Sequence, residues 1–158
     1  MTLNKAVYLA SPLGFSAPGR MWNVEVLLPA LLAAGLTPLD PWSKPGAVFT
    51  PGDTSNSTAE HNRHVAAMNE AMIREANGLI AVLDGADVDS GTAAELGFAA
   101  ALGMPIVGLR TDFRVVSDNH VALVNLQVEF WIRESGGAVH HDPATCAQHM
   151  AELLATGL

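Results

Sequence analysis

The sequence predicts an α/β fold: a single domain built on a doubly wound, five-stranded parallel sheet with helices on both faces. Three observations predict it. Short apolar runs alternate with helical patterns along the chain, as strands and crossover helices do in a parallel sheet. The run Leu79-Ile80-Ala81-Val82-Leu83 is continuously apolar, as a strand covered on both faces must be. The 158 residues are 49% hydrophobic and 15% charged, enough for one core and too apolar for a disordered chain.

The elements follow in order. Ala6 to Ala10 is a short buried strand. Met21 to Ala34 is a helix rich in Leu and Ala, which Pro29 is expected to kink or divide. Gly35 ends it, and Leu36 to Leu39 forms the second strand. Residues 40–57 are loop-like, with Pro41, Pro45, Gly46, Pro51 and Gly52; a loop of this length is usually functional, and it is expected to govern ligand entry. Thr58 to Ala76 is the clearest helix, its apolar stripe being Val65, Met68, Met72, Ile73 and Ala76. Leu79 to Leu83 is the third strand, and a loop from Gly85 to Gly91 leads to a helix over Thr92 to Leu102. Pro105 to Leu109 is the fourth strand, Leu123 to Glu134 a helix, and Ala138 to His140 a short fifth strand. Asp142-Pro143 opens the last helix, with Asp as N-cap and Pro at the first helical position. Five strands and about five helices, without internal repeat or second domain, make residues 1–158 one flavodoxin- or Rossmann-like unit.

Composition excludes several classes of function. No apolar run approaches the roughly 18 residues of a membrane-crossing helix. The start, Met1-Thr2-Leu3-Asn4-Lys5, lacks the features of a secretory signal, so a cytoplasmic protein is expected. Cys146 is the single cysteine, which excludes an internal disulfide and a Cys-rich zinc site. Sixteen acidic against eight basic residues give a net charge of −8, the wrong sign for a nucleic acid polymer as partner. A small ligand remains.

Such a sheet carries its ligand crevice beyond the carboxyl ends of its strands, so the chemistry belongs in the loops there. After the third strand come Asp84, Asp87 and Asp89, then Ser90-Gly91-Thr92-Ala93-Ala94-Glu95. Glu95 has two readings. Thr92 to Glu95 is a capping box, with Glu95 reaching back to a backbone N–H. Alternatively Glu95 is a fixed, ionised carboxylate in the first helical turn at the crevice, able to attack an electron-poor carbon. Gly91 lets a ligand approach the backbone closely. Asp89 is placed to face the same pocket, whereas Asp84 and Asp87 read as exposed loop acids. The loop lacks the order of a calcium site, and His61 and His64 lack further ligands, so no metal is expected. Neither a dinucleotide fingerprint nor a phosphate loop is present. Tyr8 reads as a packed aromatic with one satisfied hydroxyl, and Asn69, on the buried stripe, needs a partner from protein or ligand.

Several segments together match one family. Tyr8-Leu9-Ala10-Ser11-Pro12, Asn69-x-x-x-Ile73, Ile80 to Asp84, and Asp89-Ser90-Gly91-Thr92-Ala93-Ala94-Glu95-Leu96-Gly97 recur in order. The chain resembles the nucleoside 2-deoxyribosyltransferases from Val7 to about Gly137. The match runs on through Arg110-Thr111-Asp112-Phe113-Arg114, Ser117-Asp118-Asn119 and Asn125-Leu126-Gln127, and looks most like the branch accepting purines and pyrimidines.

The resemblance implies exchange of the base of a 2′-deoxynucleoside for a free nucleobase, without cofactor or metal. Glu95 falls on the family's nucleophile, which holds deoxyribose as a covalent ester, so that two inversions retain configuration. Tyr8 falls on the tyrosine that orients it, and Asp89 on the acid beside the sugar hydroxyls. Ala10, Ser11 and Gly91 fall at the substrate, with Phe15 and Trp42 packing on the base. Asn125 and Gln127 match a segment that reaches into a neighbour's site. That implies an obligate homo-oligomer with a composite site, commonly a hexamer built from dimers. Two positions depart from the pattern. Asn69 stands where some members have aspartate, and an amide cannot act as a general acid; Gln127 stands where some relatives have methionine. A hydrolase of nucleoside 5′-monophosphates is the alternative activity, but it needs groups to hold phosphate, and the strand-three loop has neither Lys nor Arg. A non-catalytic nucleotide sensor on the same fold is the alternative from a different class.

Overall fold

Five strands, β1 (Ala6–Ala10), β2 (Thr37–Leu39), β3 (Gly78–Val82), β4 (Ile106–Leu109) and β5 (Val139–His140), form one sheet in the order β2-β1-β3-β4-β5. Every neighbouring pair is parallel. The computed structural model describes residues 5–44, 58–115 and 117–157. Residues 45–57 of the long loop expected to govern ligand entry therefore lie outside the described residues.

Side-chain alternation along the strands distributes the core between two faces. Val7, Leu9, Ile80, Val82 and Val107 pack with Leu31 of α2 (Leu28–Ala33) and with Cys146 and Met150 of α6 (Pro143–Thr156). On the other face, Tyr8, Ala10, Leu79, Ala81 and Ile106 pack with three helices. These are α3 (Ala59–Glu75), α4 (Ser90–Ala101) and α5 (Leu126–Glu134), which contribute Met72, Leu96 and Ile132. The doubly wound expectation is borne out. Leaving β1 the chain covers one face, and leaving β3 it covers the other, so a crevice opens between the carboxyl ends of these adjacent strands.

The first helical segment begins at Ala17 rather than Met21. Ser16 caps it by accepting the Gly19 N–H, and Pro18 suits the first turn. From α1 (Ala17–Trp22) the chain runs through a π-helical turn, Asn23–Leu27, directly into α2. The helix is divided, as Pro29 leads one to expect: α1 and α2 are separated by this π-helical turn, and Pro29 itself lies in the first turn of α2. Its ring would collide with the Glu25 carbonyl in a regular helix; instead the preceding turn widens, and the Leu28 N–H bonds the Asn23 carbonyl five residues back.

Other boundaries follow their caps. Thr58 and Asp142 cap α3 and α6 through the N–H groups of His61 and Thr145, the second as expected. Helix α5 starts at Leu126 rather than Leu123, because Asn125 takes the capping role. Among the described residues the α-helices number six where about five were expected, the division between α1 and α2 making the difference.

The loops after β3 and β4 are tied together. Arg110, 2% exposed, donates to the carbonyls of Leu83, Gly85 and Arg114. These carbonyls satisfy a buried guanidinium that would otherwise be costly. Asp84 returns the tie: Oδ1 accepts the N–H groups of Thr111 (2.6 Å) and Asp112 (2.9 Å), and Oδ2 accepts the Thr111 hydroxyl (2.6 Å). The expectation that Asp84 is a solvated loop acid is corrected; it is a clasp between two crevice loops. Asp84→Ala should destabilise the fold by ~1–2 kcal/mol for the bonds removed, read as a lower urea midpoint at unchanged slope. Equilibrium denaturation followed by circular dichroism checks this.

Candidate active site

Helix α4 is capped differently from the Thr92–Glu95 capping box. Asp89 is the N-cap, its Oδ2 accepting the Thr92 N–H at 2.9 Å and the Thr92 hydroxyl at 3.3 Å. The helix therefore begins at Ser90, and Glu95 lies in its second turn rather than the first. With Asp89 as the cap, Glu95 bonds side chains of other elements instead of its own backbone.

Two side chains from different elements meet it there. The Tyr8 hydroxyl, from the middle of β1, donates to Glu95 Oε1 at 2.7 Å. Asn69 Nδ2, from α3, donates to the same oxygen at 3.2 Å. Since a carboxylate only accepts, this bond also orients the amide, with Asn69 Oδ1 facing away from Glu95. Burial pushes the Glu95 pKa above the ordinary 4.5, the nearby Asp89 charge adds to the rise, and the two donated bonds oppose it. Tyr8 is fully buried, and desolvation, followed by the charge of Glu95, raises its pKa far beyond the usual phenol value. The phenol is thus a permanent donor at neutral pH.

In front of this group lies a cavity of about 200 Å³. Its lining combines the apolar side chains of Phe15, Pro41, Trp42 and Val65 with the polar ones of Ser11, Asn69, Asp89, Thr92 and Glu95, and with Gly91. Phe15 and Trp42 meet edge to face, their centroids 4.7 Å apart and their planes at 74°. Two buried atoms of the lining, Ser11 Oγ and Asn69 Oδ1, have no hydrogen-bond partner among the described residues. Buried polar atoms are nearly always satisfied, and these two exceptions both belong to residues that line this cavity.

The structure gathers eight of the eleven expected site residues around one point: Tyr8, Ser11, Phe15, Trp42, Asn69, Asp89, Gly91 and Glu95. Ala10 lies fully buried at the end of β1 and does not line the cavity. Asn125 and Gln127 stand elsewhere, at the start of α5, where Asn125 Oδ1 accepts the Gln127 N–H at 3.0 Å and Gln127 is exposed. Sequence reasoning missed Asp40, which holds Trp42 in place by accepting its backbone N–H at 3.0 Å. The signal was present, since Asp before Pro is a turn-initiating pair. Among the described residues, no group of three or more His, Cys, Asp or Glu is placed to hold a metal ion.

Comparison with known proteins agrees with this architecture. The family model for nucleoside 2-deoxyribosyltransferase matches residues 7–150, and the chain belongs to that family. No curated protein matches the sequence. Among solved structures, a conserved protein from Enterococcus faecalis V583 superposes with a TM-score of 0.73 at 23% identity, over 94% of this chain and 98% of its own. A 2-deoxyribosyltransferase from Bacillus psychrosaccharolyticus gives 0.71 at 21% identity, over 94% and 95%. The CMP N-glycosidase of Clostridium botulinum gives 0.53 at 18% identity, over 98% and 100%. At these identities the likeness to the three structures is one of fold.

The raised Glu95 pKa has a consequence for stability. A buried carboxylate with a pKa above its unfolded value costs nothing while protonated and destabilises the fold once ionised. Wild-type stability relative to Glu95→Gln should therefore fall as the pH rises from the ordinary carboxylate pKa, near 4.5, through the raised folded value. At pH 7 the Gln variant should melt higher than wild type, and the gap should narrow in acid. Thermal melts across this range check it.

Proposed function

We propose that the chain exchanges the base of a 2′-deoxynucleoside for a free purine or pyrimidine by double displacement at Glu95. The observation that carries this reading is the pair of neutral donors on a single oxygen, Glu95 Oε1. They stabilise the ionised carboxylate without neutralising it, and they leave Oε2 for the reaction.

In the proposed reaction Oε2 attacks C1′ as the bond from C1′ to the base breaks. The bonding electron pair leaves with the base, which takes up a proton, and the sugar remains as an ester of Glu95. A second base then attacks C1′ from the vacated face and releases the carboxylate, so two inversions preserve the β configuration. The sequence parallels retaining glycosidases, with an oxocarbenium-like transition state, and ping-pong kinetics follow. Asp89 accepts from the sugar hydroxyls and adds negative charge beside the developing cation. Ser11, Gly91, Phe15 and Trp42 bind the substrate. Asn69 carries no transferable proton, so the leaving base draws its proton from Asp89, from water or through its own tautomers.

A neutral nucleoside suits this cavity better than a nucleotide. Among the described residues no Lys or Arg lines it, and Arg20 donates to the Gly14 carbonyl at 2.8 Å. A phosphate there would lack the cationic partner that phosphate recognition ordinarily uses. The placement of Asn125 and Gln127 away from the cavity supports a homo-oligomer, dimeric at least, in which a partner copy supplies them. The apolar residues Leu126 and Phe130, each 52% exposed on the same helix, fit a surface of that kind.

Incubating the protein with deoxyinosine and adenine should yield β-deoxyadenosine, detected by chromatography. Glu95→Ala should lower the rate by at least about 10³-fold, as removal of a nucleophile does. Formation of free deoxyribose without deoxyadenosine would replace transfer by hydrolysis, and near-normal exchange by Glu95→Ala would remove the nucleophile assignment.

A further inference from the structure

Trp42 forms one wall of the cavity, and its position is set by residues that have no part in the proposed chemistry. The indole lies directly on Gly14: a Cβ at that glycine would stand 1.8 Å from Trp42 Cδ2 and 2.0 Å from Cε3. The Gly14 backbone cannot retreat freely, because its carbonyl is held by Arg20 from α1. On the ring edge, Trp42 Nε1 donates to the Ser11 carbonyl at 2.8 Å. Behind the ring, Asp40 takes the Trp42 backbone N–H on Oδ1 and Asn23 Nδ2 on Oδ2, both at 3.0 Å. Asp40 is 5% exposed and Asn23 3%. Asn23 is the first residue of the π-helical turn, so the local widening at Pro29 also places the residue that anchors this wall.

We propose that Gly14 and the Asn23–Asp40 pair hold Trp42 back against the main chain and thereby open the base-binding half of the cavity to two-ring bases, making them determinants of purine use. The proposal rests on the nucleoside reading above. Its physical basis is steric and additive in area. With no side chain on Gly14 the indole sits flush on the backbone, where a Cβ would overlap it. An indole offers a two-ring surface that matches a bicyclic base, and stacking strengthens with overlap. A side chain at Gly14 must displace the ring, and because Trp42 lines the cavity the displacement alters the room that the second ring of a purine needs. Gly14, Asn23 and Asp40 are positioning residues that act through Trp42.

Asp40 allows a separation of position from charge. Asn23 Oδ1 is buried without a partner among the described residues. In Asp40→Asn the new amide oxygen still accepts the Trp42 N–H, and the new NH₂ can donate to Asn23 once that amide turns over. The anchor therefore survives loss of the charge, whereas Asp40→Ala removes it.

The test measures binding of adenine and of cytosine by calorimetry, alongside exchange kinetics with purine and pyrimidine deoxynucleosides. The proteins compared are wild type, Gly14→Ala, Trp42→Ala, the Gly14→Ala/Trp42→Ala double variant, Asp40→Ala and Asp40→Asn. Gly14→Ala should weaken adenine binding and raise the purine KM about tenfold, the scale of one lost base–aromatic stack, with the change in KM rather than kcat. Cytosine should change by less than about threefold. Once Trp42 is gone, Gly14→Ala should cost nothing more, because the cycle is non-additive when the two act as one device. Asp40→Ala should follow Gly14→Ala, and Asp40→Asn should restore wild-type values. Equal weakening of adenine and cytosine, additive losses in the double variant, or failure of Asp40→Asn to restore adenine binding would each overturn the proposal. Normal exchange with no such pattern sinks this inference and leaves transfer standing; the binding pattern without any exchange sinks transfer and leaves the purine wall standing.

Discussion

A carboxylate held in the interior by two uncharged donors is the constraint around which this molecule is arranged. Removing Glu95 from water raises its pKa, and the bonds from Tyr8 and Asn69 oppose that rise. A lysine or arginine in their place would stabilise the anion more strongly, but would also bind it in an ion pair and blunt it as a nucleophile. A phenol and an amide keep the charge available. Both donors use Oε1, so the two oxygens of Glu95 differ: one is held by the protein, and the other is the attacking atom of the proposed reaction.

This arrangement demands a particular register of the fold. Tyr8 must project from the face of β1 that α3 and α4 cover, since those helices carry Asn69 and Glu95. Strand alternation then sends Val7 and Leu9 to the opposite core. The crevice between β1 and β3 supplies the space, and the clasp of Asp84 and Arg110 secures the loops behind it. Elsewhere the same economy recurs. The proline-driven π turn places Asn23, Asn23 holds Asp40, and Asp40 holds the tryptophan wall. Unsatisfied atoms at Ser11 and Asn69 and an ionised interior carboxylate all cost stability in the free protein, which is the usual exchange of stability for function at a binding site.

Much of the fold was legible because its causes are local. Continuous apolar runs located the strands, the stripe from Val65 to Ala76 located α3, and Asp142-Pro143 marked the start of α6. The misreadings arose where two local solutions differ by little. Asp89 and Thr92 are both good caps, and a cap is worth only about 1 kcal/mol, so the sequence does not discriminate a helix starting at Ser90 from one starting later. Asp84 read as a solvated acid because its partners, Thr111 and Asp112, lie 27 and 28 residues away. Pro29 predicted a division of the helix, but not that a widened turn just before it would make the division.

By itself the sequence determined the class of fold, the order of its elements and the loops that carry reactive side chains, because periodicity and capping act over a few residues. Only the tertiary structure decided which oxygen of Glu95 is held and by whom: Tyr8 stands 87 residues from it and Asn69 stands 26. It also decided that Gly14 is a seat for an indole and that Asn69 turns its amide N–H toward Glu95. Such pairings depend on how three helices settle on one sheet, and that packing is a property of the whole core rather than of any segment.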